Sequence, residues 1–130
     1  IIMPIIMPIW SNKTDLATDA SLAGANATMS RSLNLAAIDY EAAEIQIKIV
    51  HNASADAGCT VEFFRSNDSG STLDTVSLYP IFTVHTTNYI RTFTFTDLTF
   101  LSIKVTNASS SAAHTATVTI TYRGKNWVIN

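Results

Sequence analysis

The side chains able to hold a metal or move a proton are few: His51, His85, His114, the single cysteine Cys59, and a run of oxygen-bearing residues from Asn67 to Asp74. Protein-bound zinc asks for paired His or Cys at short intervals. No histidine here has a second ligand at that spacing, so the sequence predicts no metal site. Asn67-Asp68-Ser69-Gly70-Ser71 with Asp74 gathers carboxyl, amide and hydroxyl oxygens around a glycine, as a calcium loop does. It lacks the closing glutamate, and an Asx-rich hairpin turn accounts for the same residues. A hydrolase of the Ser-His-Asp kind would carry its serine on a strained turn such as Gly-x-Ser-x-Gly, which is absent. The pairs Asp15/Asp19 and Asp39/Glu41 read as solvated caps and turns rather than acid–base couples. Cys59 follows Gly58 at the start of a strand and reads as a small buried hydrophobe. The expectation is a protein with no catalytic residues, no cofactor and no metal, hence not an enzyme.

Composition narrows the remaining classes. The chain has 130 residues, a formal charge of −2 and only 14% charged side chains. Its Lys and Arg are scattered singly from Lys13 to Lys125, so no basic stripe faces a phosphate backbone and nucleic acid is not an expected partner. At 47% hydrophobic residues the chain has ample material for one core, and one cysteine excludes an internal disulfide framework. The surface must be solvated by hydroxyls and amides, chiefly Thr and Ser, and Thr suits the outer face of a strand.

Strict two-residue alternation recurs at Glu44–Val50, Tyr89–Thr96, Phe100–Asn107 and Thr115–Tyr122. That period puts one face of each strand in a core and the other in water. Further strands are predicted around Met29–Leu35, Thr60–Arg65, Leu73–Leu78 and Ile81–Thr86, with loops at Ser11–Asn26, Asp39–Ala43, His51–Gly58, Ser66–Thr72 and Asn107–Ala113, a tight connection at Asp97-Leu98 and one short helical turn near Asp15–Ala20. Ile45, Ile47, Ile49, Leu101, Ile103, Val105, Val118 and Ile120 are the predicted core. About eight strands with turns every eight to twelve residues define an all-β fold, a single antiparallel β-sandwich of jelly-roll type.

Ahead of that domain, placed at residues 11–130, stands an arm at residues 1–10 in which Ile-Ile-Met-Pro occurs twice before Ile9 and Trp10. It is too short to span a bilayer and is cut by Pro4 and Pro8, so no membrane span is expected. The prolines impose an extended conformation. Ile1, Ile2, Met3, Ile5, Ile6, Met7, Ile9 and Trp10 are all apolar and call for burial, either on the chain's own sandwich or on a neighbouring subunit. These eight residues are the candidate assembly site. Five Asn-x-Ser/Thr sequons, at Asn12, Asn26, Asn52, Asn67 and Asn107, permit glycosylation. Tyr40, Phe64, Tyr79 and Tyr89 are candidates to stack on a surface glycan.

Three segments, Trp10–Leu16 with Ser21-Leu22-Ala23, Val61–Asp68 with Asp74-Thr75-Val76, and Leu101–Asn107, resemble small β-sandwich structural proteins of tailed bacteriophages. The Ile-Ile-Met-Pro repeat lies outside the resemblance. What it implies is a non-enzymatic virion component on the particle exterior, a capsid decoration protein or a tail or fibre subunit, whose partners are copies of itself and other virion proteins. The rival expectations are a carbohydrate-binding module and an extracellular filament subunit whose arm completes a neighbour's sheet.

Overall fold

The computed structural model describes residues 6–35, 42–96 and 99–129. Among the described residues there are nine strands: β1 (Ile6–Trp10), β2 (Thr14–Leu22), β3 (Ala27–Asn34), β4 (Ala42–His51), β5 (Cys59–Ser66), β6 (Ile81–Phe82), β7 (Tyr89–Thr96), β8 (Phe100–Asn107) and β9 (Ala116–Ile129). They form two antiparallel sheets. One runs β2-β9-β4-β7, with β1 sharing the β9 edge with β2; the other runs β3-β8-β5-β6. The eight strands β2–β9, laid four to a sheet in this order, make a jelly roll, and β1 is the ninth strand added by the arm.

Alternation explains the core. Ile45, Ile47 and Ile49 of β4, Leu101, Ile103 and Val105 of β8, and Val118 and Ile120 of β9 are all fully buried, as predicted. Glu62, Lys104 and Lys48 occupy intervening positions and are partly or fully exposed. A one-residue slip would exchange these two sets, so the apolar rows hold the register. Phe63 sits between the sheets with its ring centre 5.0 Å from that of Phe93 and 5.3 Å from that of Phe95, tying β5 to β7.

Four expectations are corrected. The stretch Ser11–Asn26, read as loop with a helical turn near Asp15–Ala20, contains the nine-residue strand β2. Its pairing with β9 shifts between Asp15 and Ala17 and again between Ala17 and Ala20, and Asp19 has φ of 44°. These irregularities erase the period of two that marks a strand in sequence. Leu73–Leu78 is not a strand, although it runs beside β5. The Ser77 hydroxyl accepts the Phe63 N–H at 2.9 Å, taking the place of a ladder carbonyl, while Leu78 N donates to Phe63 O at 2.9 Å and Asp74 N to Arg65 O at 2.8 Å. Ile81–Thr86 shortens to Ile81–Phe82 for the same reason, since Thr83 Oγ1 accepts the Cys59 N–H at 2.8 Å. The predicted loop Asp39–Ala43 is also too long, because Ala42 and Ala43 open β4. Asp39, Tyr40, Glu41 and the connection Asp97-Leu98 lie outside the described residues.

Candidate assembly surfaces and the polar loop end

Of the arm, Ile1, Ile2, Met3 and Ile5 lie outside the described residues. Ile6–Trp10 pairs with the end of its own β9, in register Ile6↔Ile129 to Trp10↔Lys125. Pro8 is tolerated there because β1 is an edge strand and a proline needs no partner on the outer side. Trp10 anchors the arm: Arg123 lies over its ring at 4.8 Å and Lys125 at 5.3 Å, and Arg123 Nε donates to Glu44 Oε1 at 3.0 Å. Ile9 remains half exposed. The pairing of β9 with β4 ends at Lys125, so beyond that point β9 is paired with β1 alone among the described strands.

Further exposed apolar side chains lie where β6 and the segment beside β5, in one sheet, and β7, in the other, form the sheet ends away from the arm. Among the described side chains, the exposed large hydrophobic residues other than Ile9 run from Leu73 to Ile90: Leu73, Val76, Tyr79, Phe82, Val84 and Ile90, with Val76 at 78% and Phe82 at 76% exposure. Phe82 and Ile90 face outward from the two sheets, while Tyr79 lines a groove of about 540 Å³ with Leu78–Ile81 on one wall and Arg91–Thr94 on the other. Arg91 lies over the Phe93 ring at 4.8 Å at its mouth.

The proton-moving groups gather at one end of the sandwich, where strand pairing brings the ends of β4 and β8 beside the starts of β5, β7 and β9. His51 Nε2 is 3.0 Å from Thr83 Oγ1, the atom that accepts the Cys59 N–H, and His85 Nδ1 is 3.2 Å from Ala55 O. Burial, followed by the neighbouring charge of His85, lowers the His51 pKa below 6.5. Burial alone pushes the Cys59 thiol up to about 11, so it is inert at neutral pH. Asp56 accepts from both Ser110 N and Ser110 Oγ, which hold its carboxyl below the usual carboxylate range, and His114 Nδ1 stands 3.9 Å away. These contacts bind loop to loop. No group of three or more His, Cys, Asp or Glu converges among the described residues. In the Asn67–Asp74 turn, Asp68 Oδ1 accepts from Ser66 Oγ at 2.6 Å and from Thr72 N at 2.8 Å, so its oxygen closes the turn itself.

Asn12, Asn26, Asn52 and Asn67 are exposed, whereas Asn107 is 1% exposed and fully engaged. Its Nδ2 donates to Leu22 O at 3.1 Å and His114 O at 2.9 Å, and its Oδ1 accepts from Ser109 N at 3.2 Å. The candidate stacking aromatics do not form a row: Tyr79 is exposed, Phe64 and Tyr89 are half-buried, and Tyr40 lies outside the described residues. Sequence reasoning missed these exposed apolar side chains, because Val76, Phe82 and Val84 were read as halves of two regular strands. The grouping of histidines from distant loops carries no local signal at all.

The fold is thus a jelly-roll sandwich whose exposed apolar side chains fall on the arm and in the segment from Leu73 to Ile90. The sequence matches no protein-family model and no curated protein. Among solved structures, a chain of infectious bursal disease virus, Gx strain, is 13% identical with a TM-score of 0.54 over 91% of this chain and 32% of that one. This chain therefore spans about a third of that chain's length, and the likeness is one of fold. A chain from Bacillus endospore appendages, described as a family of disulfide-linked pili, is 11% identical with a TM-score of 0.42 over 94% of this chain and 89% of that one.

Proposed function

We propose that this chain is a non-enzymatic structural subunit of a virus particle, a capsid decoration or tail/fibre component of a tailed bacteriophage, held on the particle exterior by contacts with copies of itself and with other virion proteins. The observation that carries the reading is the distribution of apolar surface: a sandwich whose exposed hydrophobic side chains concentrate in the one segment from Leu73 to Ile90, with a half-exposed Ile9 on the arm. Exposed large apolar side chains concentrated in one segment favour a contact role over chance exposure. The polar groups at the loop end hold backbone to backbone, which suits a scaffold rather than a reaction. Jelly rolls recur in viral coats, and the fold shared with a chain of a virus structure favours the reading by analogy. The phage assignment rests on the resemblance of the segments Trp10–Leu16, Val61–Asp68 and Leu101–Asn107.

The test is incorporation. Purified protein added to phage particles lacking this subunit should bind at saturable stoichiometry, and deletion of Ile1–Ile9 should reduce that binding. A protein that does not associate with particles, or that turns over ester, glycoside or peptide substrates, overturns the reading.

A further inference from the structure

Sheet β2-β9-β4-β7 has two unlike edges. On one side β1 and β2 share β9, and that edge carries Pro8, two register shifts and Asp19 at positive φ. Such bulges and prolines are the devices by which sheet edges resist pairing. On the other side β7 carries none. Tyr89–Thr96 pairs without interruption to β4 from Tyr89↔Ile49 to Thr96↔Ala42, and no other described strand lies on its outer edge. Its residues, Tyr-Ile-Arg-Thr-Phe-Thr-Phe-Thr, are almost all strong strand formers, with no lysine, proline, glycine or acid. The one charge, Arg91, rests over Phe93.

We propose that β7 is a dimerisation edge: a second copy of this chain adds its own β7 antiparallel across a two-fold axis at Thr92, joining two five-stranded sheets into one. A two-fold perpendicular to the sheet keeps each face on its own side, so residues of like face must meet. Centring on Thr92 sets Thr92 opposite its equivalent, Arg91 opposite Phe93, and Ile90 opposite Thr94. No like charges are opposed, and aromatic and Thr–Thr cross-strand pairs are the favourable kind. Ile90, 61% exposed, stands beside the axis on the outer face of this sheet, so its burial adds to the strand pairing. Phe82 lies on the outer face of the other sheet, beside Thr60, and takes no part in the junction. A second copy is the occupant that a regular unprotected strand calls for, because it presents the same open edge with a self-complementary register in one isologous surface. The inference stands on this edge alone and does not depend on the particle role.

Analytical ultracentrifugation of the whole chain is the test. Wild type should sediment at twice the chain mass. Ile90→Lys and Thr92→Lys alter side chains that the monomer leaves exposed, so melting should still be cooperative while dimer affinity falls by about 100-fold or more. Thr92→Cys should give a covalent dimer with a short bis-maleimide, and Ser30→Cys, exposed on the other sheet, should not; Cys59 is buried and silent. A monomeric mass at about 100 µM, well above a micromolar Kd, overturns the proposal. So does a dimer that survives both lysine variants, or one that cross-links equally through Ser30→Cys.

Discussion

Ser11 and Gly124 are joined by two hydrogen bonds of equal length: Ser11 N donates to Gly124 O at 2.8 Å, and Gly124 N donates back to Ser11 Oγ at 2.8 Å. The hydroxyl stands where a ladder carbonyl would, at the point where β1 has ended and β2 has not begun. The chain can therefore leave one strand and start another along the same edge of β9 without orphaning the Gly124 amide.

Ser11→Ala should remove that acceptor and leave the amide unsatisfied, lowering stability by about 1–2 kcal/mol. Urea denaturation measures the loss, and hydrogen exchange at Gly124 should accelerate more than at Ile120. Unchanged exchange at Gly124 would show that the arm is held by other contacts.

Asn107 ties the end of β2 to both ends of the β8–β9 loop from one buried side chain, through Leu22 O, Ser109 N and His114 O. Asn107→Ala should cost about 2–4 kcal/mol, because three backbone groups lose their partner inside the sandwich. Asn107→Asp should be worse at pH 7, where a carboxylate faces two carbonyl oxygens, and should partly recover when acid protonates it. The same burial predicts that Asn107 stays unglycosylated in the folded protein, even where Asn12, Asn26, Asn52 and Asn67 are modified. Intact-mass and glycopeptide analysis checks this.

His51 makes stability pH-dependent. Its folded-state pKa lies below 6.5, so the folded protein disfavours the imidazolium. The contribution is fully present above pH 6.5 and is lost as pH falls from there through the lowered folded value. Melting temperature should decline across that window, and His51→Gln should flatten the decline while leaving a separate loss below pH 3.8 from Asp56 and Asp68, whose carboxyls are held below that value. An identical profile in the variant would assign the pH dependence to another group.

Phe63 is fully buried against Phe93 and Phe95 across the two sheets. Phe63→Ala should cost about 3–5 kcal/mol, and Phe63→Leu distinctly less, because the cavity is smaller. Guanidinium denaturation separates the two. Equal losses would point to the aromatic contacts themselves rather than to volume.

The sequence by itself determined the all-β class, the rows Ile45/Ile47/Ile49, Leu101/Ile103/Val105 and Val118/Ile120, and the burial of Cys59, because a strand buried on one face writes its own period of two. Tertiary structure decided what that period does not carry. It made a strand of Thr14–Leu22, where two shifts of register scramble the alternation, and it denied one to Leu73–Leu78, where the Ser77 hydroxyl replaces the ladder carbonyl. It set Ile6–Trp10 on β9 and left β7 with no described strand on its outer edge, since which strands become neighbours depends on how the whole chain winds. The grouping of His51 and His85 and the burial of Asn107 follow from the same winding: residues 34 and 85 positions apart meet only after the two sheets have closed.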